Sequence, residues 1–452
     1  MQQRTQGLVR AISKWSLAAL MLNGVVGSSI YGLPSLLAAR LGALSPLGYI
    51  VTALGTAAVA ACLAEVGSQF RETGGPYLYA RTAFGPFAAI QIGWLTLLAR
   101  IFGGAAASNL FVSYLAQFFP VVESPTVRVA VLVAIVAIPA AANYIGVATG
   151  TRLSDFFTVT KIFILLLFVA VGFSVLWSFP GLRVAPPVVH PTRGDWLESV
   201  LLMVNAFAGF ESALFLSGES RNPRKDPPFA LLIAIATATI LYASVQYIVV
   251  HTLPSGATAS KPVADVARHL VGPVGASAIA VGILVTIYGY LGANMLTTPR
   301  LIFAMGEHGD IPSFFARIHP RFRTPHVSII SVALLITIFA IIANFRWNTM
   351  LSAVSRLFVY ASIAAALPVL RKKQPAVDAF RLRGAMFFVA VVLLLTGILA
   401  SSIQRSAVIA LAVMFTVASA SWFWRTFVRR DKEEPARHEA AIVSTQPSSA
   451  AD

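Results

Sequence analysis

Charge is scarce in this chain of 452 residues: only 12% of them are Asp, Glu, Lys or Arg, whereas 57% are hydrophobic. A soluble globular protein carries about 25% charged residues, because its surface has to face water. So few charges exclude a water-facing surface on a chain of this length, and the mean hydropathy of +0.77 points to lipid as the solvent. The sequence predicts one integral membrane domain.

Cysteine is almost absent as well, because Cys62 is the only one. An internal disulfide and a cysteine metal site are therefore excluded. The sequence also has no Walker A pattern and no His-Glu-x-x-His, and no set of acids, bases or metal ligands recurs at one membrane depth. We therefore predict no cofactor, no metal site and no enzymatic activity.

Acidic residues are the scarcer charges, with 18 against 34 basic ones and a net charge of +16. Such an excess is found in proteins that bind nucleic acid. Here the basic residues fall in short loops between apolar runs, as at 221–225, 317–323 and 371–373. That distribution sets membrane orientation, so it predicts no nucleic-acid partner and places both termini on the cytoplasmic side of the inner or plasma membrane.

Long apolar runs recur along almost the whole chain, and a spanning helix needs about 20 apolar residues. The runs are apolar on all sides, which excludes the alternating pattern of barrel strands. Residues 1–14 are predicted to be a cytoplasmic N-terminus and residues 429–452 a disordered cytoplasmic tail. The twelve predicted transmembrane helices are 15–38, 45–70, 83–118, 127–146, 154–178, 194–218, 228–252, 273–304, 326–344, 347–370, 384–402 and 406–428.

Two of these spans, the first and the sixth, are interrupted by glycine and polar residues. Such interruptions at corresponding positions of two halves are typical of inverted-repeat transporters, whose substrate site lies between the broken helices. We predict repeat one over 15–178 and repeat two over 194–370, with helices 11 and 12 over 371–428 outside this ten-helix core. Free N–H groups at a helix N-terminus bind a carboxylate, and free carbonyls bind an ammonium. The alternative is that the glycines only allow close helix packing.

Four stretches, taken in order, resemble the amino acid–polyamine–organocation family of transporters. The resemblance implies an all-α fold with a five-plus-five inverted repeat (LeuT-like), alternating access, and a substrate held between helices 1, 3, 6, 8 and 10. The chain departs from the family pattern at Ser29, Asn205 and Arg71, so the resemblance does not identify the substrate. The stretches are GVVGSSIYGLP from Gly24, EVGSQFRETGGPYLY from Glu65, FAGFESALFLSGESRNPRKDPP from Phe207 and TPRLIFAMGEHGDIPSFFARIHPRFRTP from Thr298.

Around the two interruptions we predict a set of substrate-binding residues. They are Asn23, Gly24, Gly27, Ser28, Ser29, Arg100, Asn205, Phe207, Ala208, Gly209 and Phe210. The two phenylalanines have packing as an alternative role. Asn205 is a strong candidate because a buried amide needs hydrogen-bond partners.

Ionisable residues inside the membrane cost about 2.5–3.5 kcal/mol on insertion scales, so each needs a partner or a purpose. Lys161 resembles a helix-5 lysine of the family that takes the place of a sodium ion and serves proton coupling; a snorkelling lysine is the alternative. Arg100 and Arg356 either pair with a buried acid, Glu65 or Glu211, or meet a substrate carboxylate.

The remaining coupling or gating candidates are acids and a tyrosine. Glu211 either braces the sixth interruption or titrates during transport, and Glu65 is either a cytoplasmic gate or a helix-end acid. Tyr288 and Asn294 are polar groups of the eighth span.

The sequence thus predicts a secondary active transporter (permease) of amino acids or related small organic solutes, either proton-coupled or an exchanger. Its partners would be the solute, membrane lipid and protons, and the oligomeric state stays open. The alternatives are a non-transporting sensor of the same fold, and a transporter of carboxylates or amines.

Overall fold

The computed structural model describes residues 13–70, 75–146, 150–211, 221–222, 225–253, 259–373 and 380–444, and within these ranges it contains no strand. Residues 212–218 of the sixth predicted span lie outside the description, as do 1–12 and 445–452. The α-helices are α1 Lys14–Val25, α2 Ser29–Leu41, α3 Ser45–Ser68, α4 Gly75–Phe84, α5 Pro86–Leu115, α6 Pro125–Ile145, α7 Gly150–Ser178, α8 Arg193–Ala206, α9 Asp226–Val250, α10 Pro262–Glu307, α11 His326–Ile342, α12 Phe345–Lys373, α13 Ala385–Ala400 and α14 Arg405–Ser444.

Eight of the described helical segments are long and apolar enough to cross a membrane, and α11 and α13 are shorter apolar helices. The outward-facing side chains are also apolar: Leu54, Ile240 and Leu394 are 70%, 67% and 64% exposed. Such surface is unfavourable in water at about 25 cal/mol per Å² but not in lipid. The predicted all-helical membrane class is therefore confirmed. The eight segments are Ser29–Ser68, Pro86–Leu115, Pro125–Ile145, Thr160–Ser178, Asp226–Val250, Pro262–Glu307, Phe345–Lys373 and Arg405–Phe423.

Both predicted interruptions are present in the described backbone. In the first span α1 ends at Val25 and α2 begins at Ser29, with a non-helical segment between them. In the sixth span α8 ends at Ala206, residues 207–209 form a turn, and helical backbone returns at Phe210. Gly209 has φ +113°, a value that glycine adopts without the steric cost of a side chain.

Two predicted spans, 83–118 and 273–304, have different bounds because each meets a second helix at a Gly-Pro pair. Gly85 (φ +91°) separates α4 from Pro86 at the start of α5, and Gly272 (φ +85°) kinks α10 just before Pro273. Glycine ends a helix without steric cost, and proline suits the first turn of the next one because its missing N–H is not needed there. At the other end of the chain, α14 continues to Ser444, into the segment that was predicted to be disordered.

The centre of the bundle is formed by α5 and α12, which pack along one another. α5 also packs on α10, whereas α9 packs on α1 and α3. α5 carries a run of small buried residues, Gly103 to Ala107, which lets the backbones of neighbouring helices approach closely. Cys62 of α3 is fully buried. α5 reaches the first interrupted span through Tyr114, whose hydroxyl donates to the carbonyl oxygen of Tyr31 in α2 at 2.9 Å.

Candidate functional site

The two interruptions touch each other through their glycines. A Cβ atom added to Gly24 of α1 would lie 2.5 Å from the carbonyl oxygen of Gly209, and one added to Gly209 would overlap the Gly24 carbonyl. No side chain fits at either position, so the backbones of the two spans meet directly. Close packing of helix backbones was the alternative reason for the glycines, and it occurs here at the interruptions themselves.

Lys161 of α7 lies at the C-terminal end of α1. Its ammonium donates hydrogen bonds to the carbonyl oxygens of Asn23 and Val26, the latter at 3.0 Å, and its side chain is 9% exposed. The last carbonyls of a helix have no partner within the helix and carry partial negative charge. Lys161 therefore points into the bundle and caps the broken helix, in contrast to the snorkelling alternative.

A tyrosine that the sequence analysis did not single out joins the ends of α1 and α8. The hydroxyl of Tyr242, from α9, lies 3.0 Å from the carbonyl oxygen of Val25 and 3.2 Å from that of Ala206. A buried hydroxyl needs a hydrogen-bond partner, but the span carries other polar side chains such as Gln246, so this signal did not single out Tyr242. With one hydroxyl proton, Tyr242 donates to one of these carbonyls at any moment, and its position between them brings it to both interrupted spans at their broken ends.

A chain of short polar contacts joins four helices beside the interruptions. The Asn205 amide nitrogen donates to Ser29 Oγ at 3.0 Å, and Asn205 Oδ1 lies 2.7 Å from Ser352 Oγ of α12. The same Ser352 oxygen lies 2.6 Å from the carbonyl oxygen of Ala99 in α5. With one hydroxyl proton, Ser352 serves Ala99 or Asn205 at any moment. The predicted residues Ser29 and Asn205 are therefore brought together, and Ser352 was missed.

The first interruption faces a tyrosine of α10. A Cβ on Gly27 would lie 3.9 Å from the ring of Tyr290, and one on Gly103 would lie 2.8 Å from its hydroxyl. Tyr288 is two residues earlier, which is about 200° around a helix. The structure therefore brings Tyr290, and not the predicted Tyr288, to the interruption.

Glu211 lies just after the second interruption and is bonded on both oxygens. It accepts a hydrogen bond from the Gly209 N–H at 2.8 Å and forms an ion pair with Arg356 of α12 at 2.6 Å. The Tyr360 hydroxyl lies 3.5 Å away. These contacts agree with the bracing role that the sequence suggested for Glu211.

The two phenylalanines of the sixth span are fully buried among other aromatic rings. Phe207 packs against Tyr49 and Tyr242, with ring centroids 6.3 and 5.4 Å apart, and Phe210 stacks on Tyr360 at 5.9 Å. Both side chains are 0% exposed. They lie in the core in this conformation, as the packing alternative predicted, whereas Ser28 and Ala208 lie at the interruptions themselves.

Arg100 and Arg356 have different surroundings. Arg100 is half-buried and donates to Thr297 Oγ1 of α10 at 2.8 Å, within electrostatic range of Glu211 and Arg356. Asn294 holds the backbone at this point, donating to the Arg100 carbonyl at 3.0 Å. Of the two arginines, it is thus Arg356 that pairs directly with Glu211.

Glu65 lies apart from these arginines. Its carboxylate accepts two hydrogen bonds from Arg371, at 2.7 and 2.8 Å, and one from the backbone N–H of Leu382 at 2.8 Å. It therefore ties α3 to the end of α12 and to the segment that follows. Among the described side chains, no three His, Cys, Asp or Glu residues are placed to hold a metal ion.

Residues 12–428 match the model of the family described as Amino acid permease. The chain belongs to this family. The permease is 27% identical to a methylthioribose transporter of Bacillus subtilis over 84% of the chain and 85% of that protein. It is 26% identical to a serine/threonine exchanger of the same organism over 82% of the chain and 86% of that protein. It is also 26% identical to the cationic amino acid transporter 4 of Mus musculus, over 80% of the chain and 60% of that protein.

These relatives are transporters and not enzymes. The resemblance to the amino acid–polyamine–organocation family is therefore confirmed. The family and these relatives together support the prediction that the chain is a transporter of amino acids or organic solutes. With its several apolar helices, the permease is a multi-pass protein of the plasma membrane.

Proposed function

We propose that the permease is a secondary active transporter that carries an amino acid or a related small organic solute by alternating access. The observation that supports this most is the backbone contact between Gly24 and Gly209, which joins two broken helices at one site. In this proposal the chain has twelve spans, repeats over 15–178 and 194–370, helices 11 and 12 over 371–428, and both termini in the cytoplasm. Each repeat begins with an interrupted helix, as an inverted-repeat transporter requires.

The substrate is placed by the polar backbone groups of the two interruptions. The start of α2 has no side-chain cap on its first N–H groups, so the N–H groups of residues 27–29 are assigned to a substrate carboxylate. The carbonyl of Asn23 already accepts Lys161. The substrate ammonium is therefore assigned to the carbonyls of 207–209. Arg100, Phe207 and Phe210 border this site, with the phenylalanines acting through packing.

Lys161 is the proposed coupling residue. Its ammonium bonds the end of α1 through Asn23 and Val26, so loss of its proton would weaken the hold of α7 on the first interruption. In the proposed cycle the bundle of spans 1 and 6 then rocks against spans 3, 4, 8 and 9. Glu211, Glu65 and Tyr288 are kept as gating candidates, and Glu211 has the most direct contact with the moving segment.

The test compares two substitutions at Gly27 in purified protein reconstituted into liposomes. An alanine fits there, because the nearest atom to its Cβ would be 3.8 Å away, whereas a tryptophan would occupy the space beside Tyr290. Wild type and Gly27→Ala are expected to take up solute, and Gly27→Trp is expected to be folded but inactive. Absence of flux of any amino acid, amine or carboxylate under any gradient contradicts the proposal, and binding without flux identifies a sensor.

A further inference from the structure

The polar cluster beside the two interruptions carries more positive than negative charge. Among the described residues it contains the guanidinium groups of Arg100 and Arg356 and one carboxylate, that of Glu211, all within electrostatic range of one another. Lys161 is a separate case, because the carbonyls at the end of α1 offset its charge. One cation among the described residues of this cluster is therefore not neutralised by an acid. A half-buried cation without an acidic partner attracts a negative charge more strongly than it would in bulk water, so the site favours an anion.

Hydrogen-bond donors are also left over in this cluster. Arg356 uses Nη1 for Glu211, while its Nε is buried and makes no hydrogen bond to another described residue. Arg100 has five N–H donors, and the one polar side chain it contacts in the described structure is the hydroxyl of Thr297. A guanidinium with free donors on one edge matches the two oxygens of a carboxylate.

These donors lie next to the proposed substrate position. Ala99, the neighbour of Arg100, contacts Ser352, which lies one helical turn before Arg356. One turn further along α5, Gly103 approaches the hydroxyl of Tyr290, whose ring faces Gly27 at the first interruption. Arg100 and Arg356 are both partly accessible, but in the described structure Arg356 is paired with the Glu211 carboxylate whereas Arg100 donates to the Thr297 hydroxyl.

We propose that Arg100 is a specificity-determining residue that selects small carboxylates with a net negative charge over zwitterionic and cationic solutes. This inference rests on the proposed transport function and narrows its substrate class. An amino dicarboxylate would place one carboxylate at the start of α2 and the other at Arg100, and a monocarboxylate without an ammonium would place its only carboxylate at Arg100. A cationic solute would bring a third positive charge beside two guanidinium groups, and such like-charge contacts exclude a competitor.

The test measures charge selectivity by thermal shift and by liposome uptake, using L-glutamate, L-lactate, L-alanine and L-lysine as probes. Wild type is expected to bind glutamate or lactate most tightly. In Arg100→Gln the apparent affinity for that anion should fall by at least about 10-fold, the usual loss for a hydrogen bond to a charged group, whereas the affinity for alanine should change by less than about two-fold. Arg100→Lys should restore much of the anion preference, and Arg383→Gln, at an exposed loop arginine, should behave as wild type.

The outcomes separate this inference from the function on which it rests. If wild type takes up alanine or lysine in preference to both anions, the anion selectivity is overturned and the proposed transport function stands. This measurement uses wild type alone, so it tests the selectivity even when Arg100→Gln does not fold. An anion affinity that is the same in Arg100→Gln as in wild type also overturns it. Absence of binding and of flux for every probe contradicts the transport function itself.

Discussion

Substitution of Gly24 by alanine is the most direct perturbation of the contact between the two interrupted spans. The new Cβ would lie 2.5 Å from the Gly209 carbonyl oxygen and 3.1 Å from its carbon, whereas ordinary contact begins at 3.4 Å. The obstacle is backbone, which cannot rotate away as a side chain would. The two spans must therefore separate by about 0.9 Å, the difference between 3.4 and 2.5 Å.

The destabilisation expected for Gly24→Ala is the cost of overpacking, which is about 1–3 kcal/mol in a well-packed interior. At 1.4 kcal/mol per factor of ten, this is about a 5- to 150-fold shift away from the native arrangement. Gly209→Ala should be more harmful, because its Cβ would overlap the Gly24 carbonyl and its φ of +113° is unfavourable for alanine. Gly397→Ala is the matched control, since nothing lies within 4 Å of its Cβ and alanine favours a helix by up to about 1 kcal/mol.

The assay is the apparent Tm of the detergent-purified protein, followed by initial uptake rates in liposomes. We expect the order of damage to be Gly209→Ala, then Gly24→Ala, with Gly397→Ala equal to or slightly more stable than wild type. Wild-type Tm and uptake in Gly24→Ala, with the control also unchanged, would refute the reasoning, because the two backbones would then have room to spare.

Three further perturbations test other contacts of the site. Tyr242→Phe removes the hydroxyl that reaches Val25 and Ala206 and should cost about 0.5–1.5 kcal/mol, read as a lower Tm; the partly exposed Tyr247→Phe is its control, and equal effects of the two would contradict the assignment. Lys161→Met leaves the carbonyls of Asn23 and Val26 without their donor, so uptake should no longer respond to an imposed proton gradient, and a retained response would exclude Lys161 from coupling. Breaking the Glu211–Arg356 pair from either side should cost about 3–5 kcal/mol, and a double-mutant cycle of Glu211→Gln and Arg356→Gln that shows simple additivity would mean that the 2.6 Å contact contributes nothing.

The interruptions were predictable from the sequence because they depend on local chemistry. Gly24, Gly27 and Gly209 are where the backbone departs from a helix or approaches another backbone, and both events need glycine. The bracing of residue 209 by Glu211 is local as well, since the two residues are two positions apart. The Gly-Pro pairs at the start of the third and eighth spans are local signals too, because glycine ends one helix and proline begins the next.

The partners of the buried polar groups could not be predicted in the same way. A span that is apolar on all sides does not reveal which face meets which neighbour, so nothing in its pattern pairs Tyr242 with two carbonyls or Ser352 with Asn205. The choice between Glu65 and Glu211 for the arginines had to remain open for the same reason. Only the packing of α12 decides it, because that helix carries Arg356 to Glu211 at one point and Arg371 to Glu65 at another.

The burial of Cys62 has a practical consequence for following the conformational cycle. With 0% of its side chain exposed, the one native thiol is shielded from water-soluble maleimides and methanethiosulfonates. Cysteines introduced at exposed loop positions such as Val121 and Val188 would then carry nearly all of the label without removal of Cys62. A pair of spin labels or fluorophores at these two positions can therefore report the distance between their loops in an otherwise unmodified permease.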